Sequence, residues 1–230
     1  MHLSVFPPAA LIGDPTRAAL LIALIDGRAQ PASALAYAAS VSPQVASNQL
    51  AQLVRGGLLT VEQEGRHRYY RLASAQVAIA LESLSSLRPN VRRPPQPADR
   101  RLCFARSCYD HLAGRLGVAV VDALLAQGYL LAPAALPKAF EVTEEGRRWF
   151  AEFGIALDAH RPSRRPLARR CLDWTERRHH LAGFLGERML LRLQARRWLQ
   201  ANPTDRVLRL TQAGQRGLRD SLGLSLPQNV

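Results

Sequence analysis

The segment from Ile12 to Leu72 constrains this chain more than any other. It reads I-G-D-P-T-R-A-A-L-L-I-A-L, then S-A-L-A-Y-A-A-S-V-S-P-Q-V-A-S-N-Q-L-A-Q-L-V-R-G-G-L-L, then T-V-E-Q-E-G-R-H-R-Y-Y-R-L. Asp14 before Pro15 is a helix start, with a capping carboxylate and a proline in the first turn. Leu20, Leu21, Leu24 and Ile25 give that helix a buried face, and Ala32, Leu35, Ala36 and Ala39 line a second one. Ser40-Val41-Ser42 is a tight turn, and Ser42 before Pro43 opens a third helix whose inward residues are Val45, Leu50, Leu53 and Val54. Gly56-Gly57 stops it. Leu58 to Glu64 alternates as a strand, Gly65 turns the chain, and Tyr69 to Leu72 returns as a second strand.

Helix, helix, capped helix, strand, basic turn, strand is the order of a winged helix-turn-helix, a fold that can enter a DNA groove. The third helix leaves Ser42, Gln44, Ser47, Asn48, Gln49 and Gln52 outward. Amide side chains can bond adenine edges with both ends, and serine can reach bases or phosphates. The first turns of a recognition helix are the part that meets base edges. Arg66, His67 and Arg68 stand at the tip of the hairpin, where cations suit phosphates or a narrow minor groove. A solvated polar face would look the same on an isolated helix; the surrounding order of elements favours the DNA reading.

The charge agrees without deciding the matter. Thirty-one Lys+Arg against 18 Asp+Glu give a formal net charge of +13, and Lys138 is the sole lysine. Such a field favours polyanions, but a genome rich in G and C also inflates arginine and alanine. No apolar run approaches the roughly 20 residues that span a bilayer, and M-H-L-S-V-F-P-P lacks the regions of a signal peptide. Three cysteines are too few and too odd in number for a disulfide framework. The expected compartment is the cytoplasm, with no membrane partner. A phosphate-cradling glycine loop, a nucleophile elbow and a His-Glu-x-x-His motif are all absent, so no catalytic residues and no enzyme activity are expected.

The motifs D-P-T-R-x-x-L-L-x-x-L, S-x-x-x-x-S-x-x-L-x-x-L-x-x-x-G-L and G-R-x-x-Y-Y-x-L, in that order over residues 10 to 85, resemble the ArsR-type family of bacterial winged-helix regulators. The resemblance implies a homodimer on an inverted-repeat operator that lets go when an effector binds. Metal-sensing members place paired cysteines just before or in the second helix; Arg28 to Leu35 here holds no thiol, histidine or carboxylate. The family's best-known metal site is therefore absent.

Residues 89 to 98, with Pro89, Pro94, Pro95 and Pro97, read as an extended linker between a DNA-binding domain, residues 1 to 88, and a second domain, residues 99 to 230. Before the linker, Ser74 to Leu87 is an amphipathic helix suited to a dimer seam. The second domain carries a weak repeat. A helix from Val118 to Gln127 leads to Gly128-Tyr129-Leu130 and on to Phe140-Glu-Val-Thr143. A helix from Glu187 to Arg196 leads to Arg197-Trp198-Leu199 and on to Val207-Leu-Arg-Leu-Thr211. Thr143 and Thr211 are placed as helix caps, so winged-helix-like strand pieces are expected here beside ordinary capped junctions. The fold class is mainly α with small β-wings.

Two segments of that domain concentrate unusual chemistry: Cys103, Cys108, Tyr109, Asp110 and His111, then Cys171, Asp173, Trp174, His179 and His180. Each runs Cys, Asp, His and then Leu-Ala-Gly. Thiolate and imidazole suit a thiophilic metal or metalloid, and Cys108 with His111 at i, i+3 would share a helical face. A thiol whose pKa is lowered by Arg106, His111 or Arg170 would suit a redox switch. Tyr109 and Trp174 would suit a small organic ligand. Buried structural cysteines remain a fourth reading, and the spacings match no standard zinc pattern. The expected function is a two-domain DNA-binding regulator, a repressor by resemblance, responding to an effector in its second domain. A nonspecific nucleic-acid or chromosome-binding protein and a winged-helix protein-interaction module are the alternatives.

Overall fold

The computed structural model describes residues 7–64, 67–87, 97–160, 165–202 and 205–225. The chain divides into two compact units, Met1–Ser85 and Ser86–Val230. Among the described residues, no helix is long and apolar enough to cross a membrane.

Unit 1 runs α1 (Pro7–Ile12), α2 (Pro15–Ala23), β1 (Gln30–Pro31), α3 (Ala32–Ala38), α4 (Pro43–Arg55), β2 (Leu59–Glu64), β3 (His67–Leu72) and α5 (Ala75–Ser86). The capping signals act as the sequence indicates. Asp14 Oδ1 accepts from Arg17 N at 2.9 Å, and Ser42 Oγ accepts from Val45 N at 3.3 Å. Leu20, Leu21, Leu24, Ile25, Leu35, Leu50 and Leu53 are buried together. Val45 is the exception: it is 41% exposed, and Ala46 takes the inward position instead. The sheet has the order β1-β3-β2, with Gln30 opposite Tyr70 and Leu59 opposite Leu72. The two-residue strand β1 is too short to leave a periodic signal.

Of the expected linker, residues 89–96 lie outside the described residues. Pro97 already belongs to α6 (Pro97–Phe104), where a proline at the first helical position forfeits no hydrogen bond.

Unit 2 continues with two equivalent runs. The first is β4 (Arg106–Cys108), β5 (His111–Ala113), α7 (Arg115–Ala126), β6 (Leu130–Leu131), β7 (Glu141–Val142) and α8 (Glu144–Phe153). The second, after a short 3-10 turn at Leu157–Ala159, is β8 (Arg169–Leu172), β9 (His179–Ala182), α9 (Gly183–Ala195), β10 (Leu199–Ala201), β11 (Leu208–Leu210) and α10 (Gln212–Leu222). Thr143 and Thr211 cap α8 and α10 through Gly146 N and Gly214 N, each at 2.9 Å. The hairpin, helix, hairpin, helix order therefore occurs twice.

The two runs are interlocked. Helix α7 packs on β9 and α9 on β5. Ser107 N donates to Arg206 O and Leu208 N to Ala105 O, while Phe140 N donates to Ala168 O and Arg170 N to Lys138 O. Each first hairpin thus leans on the second hairpin of the other run. One apolar core is shared, from Leu116, Val120 and Leu124 through Phe150 to Leu185, Met189 and Leu193.

Two glycines make this approach feasible, in the matched strings His111-Leu-Ala-Gly-Arg-Leu-Gly117 and His180-Leu-Ala-Gly-Phe-Leu-Gly186. A Cβ on Gly117 would stand 2.7 Å from Leu112 O and 3.5 Å from His180 Cβ. On Gly186 it would stand 2.4 Å from Leu181 O and 3.1 Å from His111 Cβ. Each glycine seats its helix on its own strand and makes room for the histidine of the other run. Gly186→Ala is expected to destabilise unit 2 by about 3 kcal/mol, because the obstacle is backbone and cannot rotate away; the urea midpoint of the full chain reads this.

Candidate nucleic-acid interface and candidate metal centre

Helix α4 presents Gln44, Ser47 and Asn48 to solvent, with Ser42 exposed at its cap and Val45 beside them. Gln44 Nε2 donates weakly to Asn48 Oδ1 at 3.4 Å. Gln49 and Gln52 differ from these. Both are only partly exposed, and their Oε1 atoms accept from Arg17 Nη1 at 3.0 and 3.3 Å. Arg17 is itself anchored by Leu11 O at 2.7 Å and Ala10 O at 3.1 Å. The arginine of the D-P-T-R motif therefore ties the end of α1 to the flank of α4. Reading adenine with both ends of an amide needs its oxygen as well as its nitrogen, and the oxygens of Gln49 and Gln52 are engaged. Gln44 and Asn48 are the amides whose outward position suits that task. Nothing in the spacing alone separates the two kinds of glutamine; the signal is Arg17, in the first turn of α2.

In the wing, Arg68 is exposed on β3 opposite Gln63, and His67 pairs in register with Glu64. Arg66 lies outside the described residues. Arg71 forms an ion pair with Glu62 across the hairpin. Arg71 thereby has its charge matched within the sheet.

In unit 2 the hairpins bring four donors to one point. Cys108 stands opposite His111 in β4–β5, and Cys171 stands opposite His180 in β8–β9. The expectation that Cys108 and His111 share a helical face is incorrect: they are a cross-strand pair on a two-residue turn. Cross-strand partners project to the same side of a hairpin, so geometry brings them together where helical spacing was expected to. Cys108 Sγ and Cys171 Sγ are 3.9 Å apart, and His111 Nε2 and His180 Nε2 are 3.2 Å apart. All four ligand atoms lie within 4.8 Å of one another, and all four residues are buried.

Each histidine is backed by a carboxylate and each carboxylate by an arginine. Asp110 Oδ1 is 3.0 Å from His111 Nδ1, and Arg165 pairs with Asp110 at 2.7 Å. Asp173 Oδ2 is 3.3 Å from His180 Nδ1, close enough for charge though not well aligned for a hydrogen bond. Arg106 Nη2 meets both oxygens of Asp173 at 2.9 Å. Gly114 N, Thr175 N, Thr175 Oγ1 and Glu176 N also donate to Asp173. Burial opposes the charge on Asp173, yet His180, Arg106 and Thr175 hold its carboxyl far below the usual range. Burial likewise opposes ionisation of Asp110, and His111 and Arg165 outweigh it. The contact with Cys108 pushes the Cys171 thiol far below an ordinary thiol against the effect of burial, with His111 and His180 adding to it. Burial disfavours a charged His180, but Asp173 and Cys171 raise it to about 9. The pocket favours thiolate together with positive charge among the donors.

The other expected effector residues are spread around this centre. Cys103 sits half-buried on α6 and is not among the four donors. Tyr109 and Asp110 form the turn of β4–β5, and Trp174 lies under Arg106, whose Cζ is 4.7 Å from the ring centroid. His179 is exposed, because adjacent residues of a strand point to opposite faces. A cavity of about 480 Å³ in unit 2 is lined by Arg101, Phe104, Gln200, Asn202 and Arg209 among others, and includes neither Tyr109 nor Trp174. The ligand pocket expected around those two aromatics does not coincide with it.

Comparison with known proteins supplies relatives. A helix-turn-helix domain family model matches residues 12–62. Over 229 residues, 98% of this chain and 100% of the relative, the chain is 40% identical to the uncharacterized HTH-type transcriptional regulator YdfF of Bacillus subtilis (strain 168). Over 73 residues, 32% of this chain and 61% of the relative, it is 38% identical to the HTH-type transcriptional regulator CmtR of Mycobacterium tuberculosis. A solution structure of the homodimeric winged helix-turn-helix DNA-binding domain Mb0332 of Mycobacterium bovis covers 43% of this chain and 81% of its own, at 26% identity and a TM-score of 0.34.

Proposed function

The chain belongs to the helix-turn-helix transcriptional regulators, and from that premise we propose that it is a repressor of the ArsR type that binds an inverted-repeat operator as a homodimer. The observation that carries this reading is the face of α4. Gln44, Ser47 and Asn48 are exposed side by side in the first turns of a Ser42-capped helix, and Arg17 fixes the flank behind them. Placed in a major groove, Gln44 and Asn48 offer paired donors and acceptors to base edges, and Ser42 and Ser47 offer hydroxyls to phosphates. Arg68 and its neighbours at the wing hold the backbone. Ile79 and Leu84 are exposed on α5, with Leu87 just beyond it, an apolar edge suited to pairing with a second copy. Two copies related by a dyad set two recognition helices about one helical turn of DNA apart. Unit 2 is the part through which an effector alters that pairing.

Salt titration of binding to duplex DNA tests the wing. Each phosphate neutralised contributes about 0.9 to the slope of log affinity against log salt. Arg68→Ala is expected to lower affinity for every duplex alike and to reduce the slope by about one. An unchanged slope and affinity would instead favour a protein-interaction module that keeps the winged fold.

A further inference from the structure

We propose that Cys108, His111, Cys171 and His180 hold one divalent cation of the zinc class in a closed tetrahedral shell, and that this ion staples the two runs of unit 2 together. The first support is metric. A regular tetrahedron with Zn–S bonds of 2.3 Å and Zn–N bonds of 2.0–2.1 Å has an S···S edge of about 3.8 Å and an N···N edge of about 3.3 Å. The corresponding distances here are 3.9 and 3.2 Å. A disulfide requires about 2.05 Å between sulfurs and would leave the pair of histidines without a purpose.

The second support is the direction of the ring nitrogens. Both Nδ1 atoms face a carboxylate, Asp110 at 3.0 Å from His111 and Asp173 at 3.3 Å from His180, which turns each ring so that Nε2 is directed to the centre. The two Nε2 atoms then face one another across 3.2 Å inside a buried pocket. A metal ion displaces the proton that such a pair shares and takes both nitrogens as ligands. Carboxylate behind histidine behind metal is the usual way such a ligand is oriented.

Charge is the third support. Once the ion has replaced the proton on His180, two thiolates, two neutral imidazoles and a divalent cation sum to zero, the sum a dry interior tolerates best. The carboxylates behind them are matched separately, Asp173 by Arg106 and Asp110 by Arg165. Two soft thiolates with two imidazoles select zinc over the oxygen-seeking cations.

The fourth support is the duplication. One cysteine and one histidine come from each run, at matching hairpin positions, and Gly117 and Gly186 clear the space beside the opposite run's histidine. Four protein ligands complete the shell, as in structural rather than catalytic sites. The spacings, two residues between Cys108 and His111 and eight between Cys171 and His180, escape a standard pattern because one hairpin has a two-residue turn and the other a longer loop. This inference concerns unit 2 and stands apart from the DNA reading.

The test uses the full chain purified under reducing conditions. Elemental mass spectrometry is expected to find one zinc per chain, retained in Cys103→Ser. Protein stripped and reloaded with Co²⁺ is expected to show the intense visible bands of tetrahedral cobalt with thiolate ligands. Cys171→Ser and His180→Gln should each lose the metal and those bands; because these variants risk misfolding, the wild-type measurements decide. Failure of the reduced wild-type chain to take up zinc or cobalt in stoichiometric amount would overturn the proposal. So would a six-coordinate cobalt spectrum. DNA affinity enters none of these readouts, so a negative result here leaves the operator reading standing.

Discussion

Asp173→Ala is expected to cost unit 2 about 3–5 kcal/mol, the penalty for removing one partner of a buried ion pair. Asp173 and Arg106 are both fully buried. The carboxylate accepts from Arg106, from Gly114 N of the first run, and from Thr175 and Glu176 of its own loop. Without it, Arg106 keeps Leu102 O, Thr175 Oγ1 and the Trp174 ring among the described residues. A cation in that position has lost its counter-charge with no water to replace it. For a unit of this size the loss corresponds to a fall in Tm of roughly 10 °C, read by thermal unfolding of the full chain with unit 1 as internal reference. Replacing the pair together, Arg106→Met with Asp173→Leu, should recover part of the loss, since a buried pair is often no better than well-packed apolar groups. A cost below about 1 kcal/mol for Asp173→Ala would show that the pair is hydrated and that the centre it supports is looser than described.

The second large effect concerns DNA. Gln44→Ala combined with Asn48→Ala removes the two amides proposed to meet base edges. Each good two-ended contact discriminates by about 1–3 kcal/mol, so the double variant should bind its operator about 100-fold more weakly. It removes no charge, so affinity for scrambled duplex at the same salt should be unchanged. Both residues are exposed on α4, outside the core of Ala46, Leu50 and Leu53, so unfolding should be little affected. Fluorescence anisotropy on operator and scrambled duplexes distinguishes this from an equal loss on both, the outcome expected of nonspecific binding by charge.

Unit 1 was legible because its signals are local. Asp14, Ser42 and the leucines at helical spacing act through neighbours three or four residues away, and the structure places them as the sequence indicates. What escaped was long-range: Arg17 reaches 32 residues along the chain to Gln49, and the packing of α4 turns Ala46 rather than Val45 inward. In unit 2 the repeat and the caps at Thr143 and Thr211 were legible for the same local reason. The hairpins were not, because strands of two to four residues give no usable alternation. Cys108 and His111 at a separation of three fit a helix as well as a tight hairpin, and only the cross-strand register decides between them. Likewise His179 and His180 are equal in sequence, and strand alternation sends one to solvent and the other into the centre.

The most direct measurement of the central claim is selection of bound sequences from random duplex DNA by the full-length protein at physiological salt. Enrichment of an inverted repeat whose half-sites lie about one helical turn apart is expected, and it should be abolished by Gln44→Ala and Asn48→Ala together. Retention of DNA with no enriched sequence, or enrichment unaffected by the double variant, would contradict it.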